Sequence, residues 1–125
     1  GGGGGGGEFT EDEEDEDNRV SADAMEMHRT VQKVFEEEEA LLDLHMVVIQ
    51  ETAGLLTEEG LLLQQIQGDD VVDYDIDAYA TRLEQILQRK QELTSGLQKQ
   101  LASFRKHLQE EERVARRLGD VIPQY

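Results

Sequence analysis

The sequence predicts an all-α protein: two long helices forming an antiparallel αα-hairpin or coiled coil, two copies of which associate into a four-helix bundle. Three observations predict it. Apolar residues recur every three or four positions through two segments of about 44 residues each. A short Gly/Asp-rich break separates the segments. The first segment also carries a wider apolar face than a single neighbouring helix can cover.

Composition sets the frame. Of the 125 residues, 37% are hydrophobic and 5% aromatic, with one proline, a profile of extended helices more than of a compact α/β core. There is no cysteine, which excludes a disulfide framework and any Cys-based zinc site. No apolar run near the ~20 residues of a membrane span and no signal-peptide pattern are expected, which implies a soluble intracellular protein. Net charge is −17, which argues against nucleic acid or an anionic membrane as partner through the whole surface. The charge is unevenly placed. Residues 21–66 hold ten acidic and two basic side chains, whereas residues 82–117 hold nine basic and five acidic. Two segments of opposite sign suit each other as neighbours.

Residues 1–20 are expected to be a disordered Gly-rich and acidic linker. Seven glycines are followed by Glu8 and Phe9 and then by seven consecutive acidic residues, 11–17, with no apolar side chains among the acids to bury. The helical hairpin is expected over residues 21–118, and residues 119–125 form a tail.

The first helix is expected over residues 21–66. Ser21 is a fair N-cap, and Asp23 and Glu26 place negative charge at the positive end of the helix dipole. Two adjacent heptad columns are apolar throughout: Val34, Leu41, Val48, Leu55 and Leu62, and beside them Phe35, Leu42, Ile49, Leu56 and Leu63. Met46 and Ala53 widen the face, so this helix should touch more than one neighbour. Gly54 and Gly60 each cost roughly 1 kcal/mol relative to Ala, and a soft spot or kink is expected around residues 55–60, near Thr57.

Residues 67–74 are expected to be the loop. Gly68 can take the left-handed conformation that ends a helix, and Asp69-Asp70 favours a turn. The second helix is expected over residues 75–118, capped by Asp75. Its stripe runs Ile76, Tyr79, Leu83, Ile86, Leu93, Leu97, Leu101, Phe104 and Leu108, continuing to Ala115 and Leu118, with Lys90 and Glu111 as interruptions. The step from Leu97 to Leu101 breaks the heptad and predicts a stutter that locally unwinds a supercoil. Both helices reach roughly 66 Å at 1.5 Å per residue. A turn centred near Asp69-Asp70 sets Phe35 level with Phe104. These two stripes are the candidate interface, and leaving one of them exposed forfeits several kcal/mol at ~25 cal/mol per Å².

The block DDVVDYDIDAYATRLEQILQRK at 69–90, with SFRKHLQEEE at 103–112, resembles the C-terminal region of the kinesin-13 family, the internal-motor kinesins that depolymerise microtubules. Residues 34–63 resemble it more weakly, through an acidic, Leu-rich helix and the LLTEE segment at 55–59. Residues 1–17 and 113–125 fall outside the resemblance. It implies a module C-terminal to a motor, one that dimerises the motor and regulates it through contacts with it. It also implies a cytoplasmic, microtubule- and spindle-associated location, with microtubules met only through the absent motor.

The chain shows no phosphate loop of the GxxxxGK[ST] type and is expected to have no catalytic, cofactor-binding or metal site. The residues three before His28, His45 and His107 are Met25, Leu42 and Phe104, so the Glu-x-x-His pattern of helical-bundle metal sites is missing. The expected function is a non-catalytic dimerisation and regulatory module, acting as a homodimer. The alternative is an adaptor hairpin that docks a partner's helix or the basic surface of its own motor domain.

Overall fold

Two helices account for the fold. In the computed structural model, α1 spans Glu11–Ile66 and α2 spans Asp73–Val121. The structure describes residues 11–68 and 73–121, with side chains from 14 to 68 and from 76 to 119. No strand occurs among the described residues, and the expected all-α hairpin is borne out. The chain divides into two compact units, one of Glu38–Ser103 and one combining Gly1–Glu37 with Phe104–Tyr125.

Within Glu38–Ser103 the two helices run antiparallel, since ion pairs join Glu51 to Arg89 and Glu58 to Arg82. Advancing seven residues along α1 retreats seven along α2. Leu41, Leu44, Val48, Leu55 and Leu62 of α1 are part-buried, facing Leu83, Ile86, Leu93 and Leu97 of α2. Ile86 is fully buried and Leu93 is 8% exposed. Burying one such side chain completely contributes about 1.5–3 kcal/mol. The second unit is built the same way around Val34, 8% exposed, and the fully buried Val114.

The helix limits differ from the sequence expectation in ways that have physical causes. α1 starts at Glu11, so the acidic run 11–17 is helical. The first of these seven acids lie in the opening turn, where the macrodipole favours negative charge. The expected linker over residues 1–10 lies outside the described residues. α1 continues without a break past Thr57. The Thr57 hydroxyl donates to the Ala53 carbonyl at 3.0 Å, and the helix passes through Gly54 and Gly60 unbroken.

At the turn, Gln67 N–H donates to the Leu63 carbonyl at 3.1 Å, an α-helical bond, and no described glycine has positive φ. Gly68 therefore does not adopt the expected left-handed cap. The expected turn at Asp69-Asp70 lies outside the described residues. α2 begins at Asp73, which puts Asp75 inside the first turn and not at the cap. It runs past Leu118 to Val121, because one glycine, Gly119, costs a helix only about 1 kcal/mol.

The stutter expected at Leu97–Leu101 is absent. The inward positions of α2 step Tyr79, Leu83, Ile86, Lys90, Leu93, Leu97 and Gln100, and in the second unit Phe104, His107, Glu111, Val114 and Leu118. This is an unbroken three-four alternation. Leu101 and Leu108 are 43% and 37% exposed and do not belong to it.

One further difference concerns α1. It includes a stretch long and apolar enough, by length and composition, to cross a membrane. The stretch arises because two apolar columns run side by side along one helix. Through it also runs an exposed polar column, Asp43, Gln50, Thr57 and Gln64, and Glu51 in the same segment is paired to Arg89.

Candidate interaction surface

Each pair of neighbouring apolar residues on α1 faces two directions. Leu41, Val48, Leu55 and Leu62 turn toward α2, while Leu42, Ile49, Leu56 and Leu63 turn to solvent. Consecutive side chains on a helix diverge by about 100°, so two adjacent heptad columns cannot both face one neighbour. Exposure across the outward column, Phe35 included, runs from 45% at Leu63 to 63% at Leu56. Met46 is exposed on the same face, with Ala53 and Gly60 continuing its column. From Leu42 the outward residues step Met46, Ile49, Ala53, Leu56, Gly60 and Leu63, again alternating four and three. α1 thus carries two seams, one filled by α2 and one open. An exposed apolar stripe of this kind is a candidate interaction surface.

α2 has a thinner counterpart. Leu87 and Leu101 are exposed one position beyond the inward series, and so is Leu108 in the second unit. Sequence reasoning missed Leu87 and also the inward Val114. Val114 is legible only once the heptad is carried through Gln100 and His107 without a stutter, whereas Leu87 lies beside the expected stripe, next to Ile86. The remaining candidate residues divide plainly: Val34, Tyr79, Leu83, Ile86, Leu93, Leu97 and Phe104 turn inward, and Ile76 is 49% exposed.

Charged side chains flank the inward seam. Arg82 grips Glu58 with Nε and Nη2, the latter at 2.7 Å. Arg89 grips Glu51 at 2.7 and 3.0 Å and also bonds Glu92 at 3.2 Å. Lys90, an interruption in the apolar series, donates to Glu59. The hydrogen bonds from Arg82 and Arg89 hold the Glu58 and Glu51 carboxyls below the usual carboxylate range. In the second unit Arg117 pairs with Glu26 and with Asp23 at 3.3 Å, and Arg113 bonds Glu110 at 2.6 Å. Arg89–Glu92 and Arg113–Glu110 lie within α2; the acidic-first, basic-second distribution of charge is expressed in the cross-helix pairs to Glu58, Glu51, Glu59, Glu26 and Asp23.

Of the histidines, His28 and His45 are exposed, and His107 lies inward with Nδ1 3.5 Å from Glu37. Among the described residues no group of three or more His, Asp and Glu is placed to hold a metal ion. The groove at the turn end, lined by Leu62, Ile66, Ala78, Tyr79 and Arg82, is an open cleft of about 420 Å³.

No family model matches the chain, and no solved structure matches it. Among curated proteins it is 43% identical over 93 residues to "Diatom spindle kinesin-1" of Cylindrotheca fusiformis. The similarity supports a kinesin-related region. The aligned part takes in 74% of this chain and 15% of that kinesin, so the chain spans only a small part of its relative. An all-helical chain of paired heptads is compatible with a stalk-like segment of such a kinesin, lying outside its motor.

Proposed function

We propose that the chain is a non-catalytic dimerisation and regulatory module of a kinesin-13-like microtubule-depolymerising motor, associated with the cytoskeleton and the spindle. The observation that carries this reading is the open seam Leu42–Leu63 on a helix whose opposite side is already occupied. Similarity to a spindle kinesin, and the resemblance of residues 69–112 to the kinesin-13 C-terminal region, supply the context. In this reading the module joins two motor chains by burying outward leucines, and it regulates by placing itself near the motor. Binding energy comes from apolar burial, with the charge pairs setting alignment.

The adaptor reading, in which the same seam receives a different protein's helix or the motor's basic surface, rests on the excess of acid over the whole chain. Light scattering on the isolated chain tests the proposal. Twice the monomer mass of 14.1 kDa is the expected result, and a monomer at all concentrations would remove dimerisation.

A further inference from the structure

The open seam has a direction built into it. Its alternate positions are Met46, Ala53 and Gly60, so side-chain bulk falls steadily along the helix while Leu42, Ile49, Leu56 and Leu63 stay large. Gly60 has no packing reason inside the hairpin: a Cβ added there meets nothing within 4 Å. We infer that this face takes the same face of a second copy of the chain, with the two α1 helices antiparallel about a two-fold axis near Ala53. The inference rests on the dimer reading above and adds the surface and the symmetry.

Two observations choose the occupant and its direction. The first is charge. The columns bordering the seam carry Asp43, Gln50, Thr57 and Gln64 on one side and His45, Thr52 and Glu59 on the other, and Glu59 is held by Lys90. A basic partner helix would find few acids beside this seam, whereas a second copy of a chain with net charge −17 would meet little repulsion there. In a parallel pair Asp43 would sit level with its own copy. In the antiparallel pair it sits level with residues 63 and 64, which are Leu and Gln.

The second is shape. Antiparallel pairing about Ala53 brings Met46 of one copy level with Gly60 of the other, large against small, and Ile49 level with residue 57, beside Leu56. Parallel pairing would set Gly60 against Gly60, leaving a void, and crowd Met46 against Met46. Voids and overpacking both cost stability, so the taper fits itself in one direction only.

The chain has no cysteine, so a single Cys can carry a unique spin label. Asp43→Cys and Gln50→Cys, each in the 125-residue chain, place labels on the exposed column beside the seam. Antiparallel pairing puts the two Asp43 labels about 30 Å apart along the axis at 1.5 Å per residue, and the two Gln50 labels at about a third of that. Parallel pairing puts both pairs at one short separation. Leu56→Glu, checked by circular dichroism for intact helix, should convert dimer to monomer.

The long and short pair of distances, with loss of dimer in Leu56→Glu, is the expected result. A monomeric parent chain overturns the dimer reading and this inference together. A dimer with two equal short distances leaves the dimer standing and overturns its direction. A dimer that survives Leu56→Glu but is lost in Leu101→Glu overturns the assignment to α1.

Discussion

Glu51 and Arg89 meet across the two helices through parallel hydrogen bonds of 2.7 and 3.0 Å. Both side chains are substantially exposed, so solvent screens the pair and it contributes little to stability. Arg89→Ala should lower the melting temperature slightly. The difference between wild type and variant should shrink in 1 M salt, where the Debye length falls to about 3 Å. Thermal melts at low and high salt measure both effects.

Acid should weaken the same contacts. Hydrogen bonds from Arg89, Arg82 and Arg113 lower the Glu51, Glu58 and Glu110 carboxyls below their ordinary value of 4.5. A group whose folded pKa is depressed contributes stability above its unfolded pKa and loses it as pH falls through the folded one. Stability should therefore hold at neutral pH and decline below about pH 4.5. Urea midpoints from pH 7 to 3 test this, and the decline should be smaller in Arg82→Ala and Arg89→Ala.

Ile86 is the residue on which the larger unit depends most. It is fully buried, and Ile86→Ala should cost about 2–5 kcal/mol, mixing lost transfer energy with a residual cavity. Leu87→Ala, one position on and 51% exposed, should cost far less. Denaturant titrations of the two variants should separate them clearly.

Two glycines can be replaced with gain. A Cβ at Gly54 or Gly96 meets nothing within 4 Å, and both lie in helix interiors. Gly54→Ala and Gly96→Ala should each stabilise the fold by about 1 kcal/mol, the difference in helix propensity. Melting temperatures should rise in both, and in the double variant close to additively.

The fold was legible because its signal is periodic. Two apolar series, a break between them and opposite charge on the two segments lead to a hairpin, and the inward column Leu41, Val48, Leu55 and Leu62 follows from the same count. The second half of α2 was not legible. Leu101 and Leu108 are more apolar than Gln100 and His107, so hydrophobicity alone draws the stripe one position too far. His107 lies inward with Nδ1 3.5 Å from Glu37 of the other helix, and a single helix cannot report what faces it. The start of α1 was missed for a related reason. An acidic run reads as solvated coil in isolation, but it extends a helix already nucleated by packing, at the end where its charge is favoured.

The doublets Leu41-Leu42, Val48-Ile49, Leu55-Leu56 and Leu62-Leu63 make α1 nearly ambiguous about its own orientation. Turned about its axis by one residue, it would offer α2 an almost identical ladder of aliphatic groups. Along the doublets burial does not distinguish the two settings; at one further position it does, since His45 would take the inward place of Leu44. What also distinguishes them is that Arg89 would meet Thr52 in place of Glu51 and Lys90 would meet Gly60 in place of Glu59, while Arg82 alone would still find a glutamate. Weak pairs at the margin of the seam thus act as index marks: they add little strength, yet they decide which leucines are hidden and which are offered.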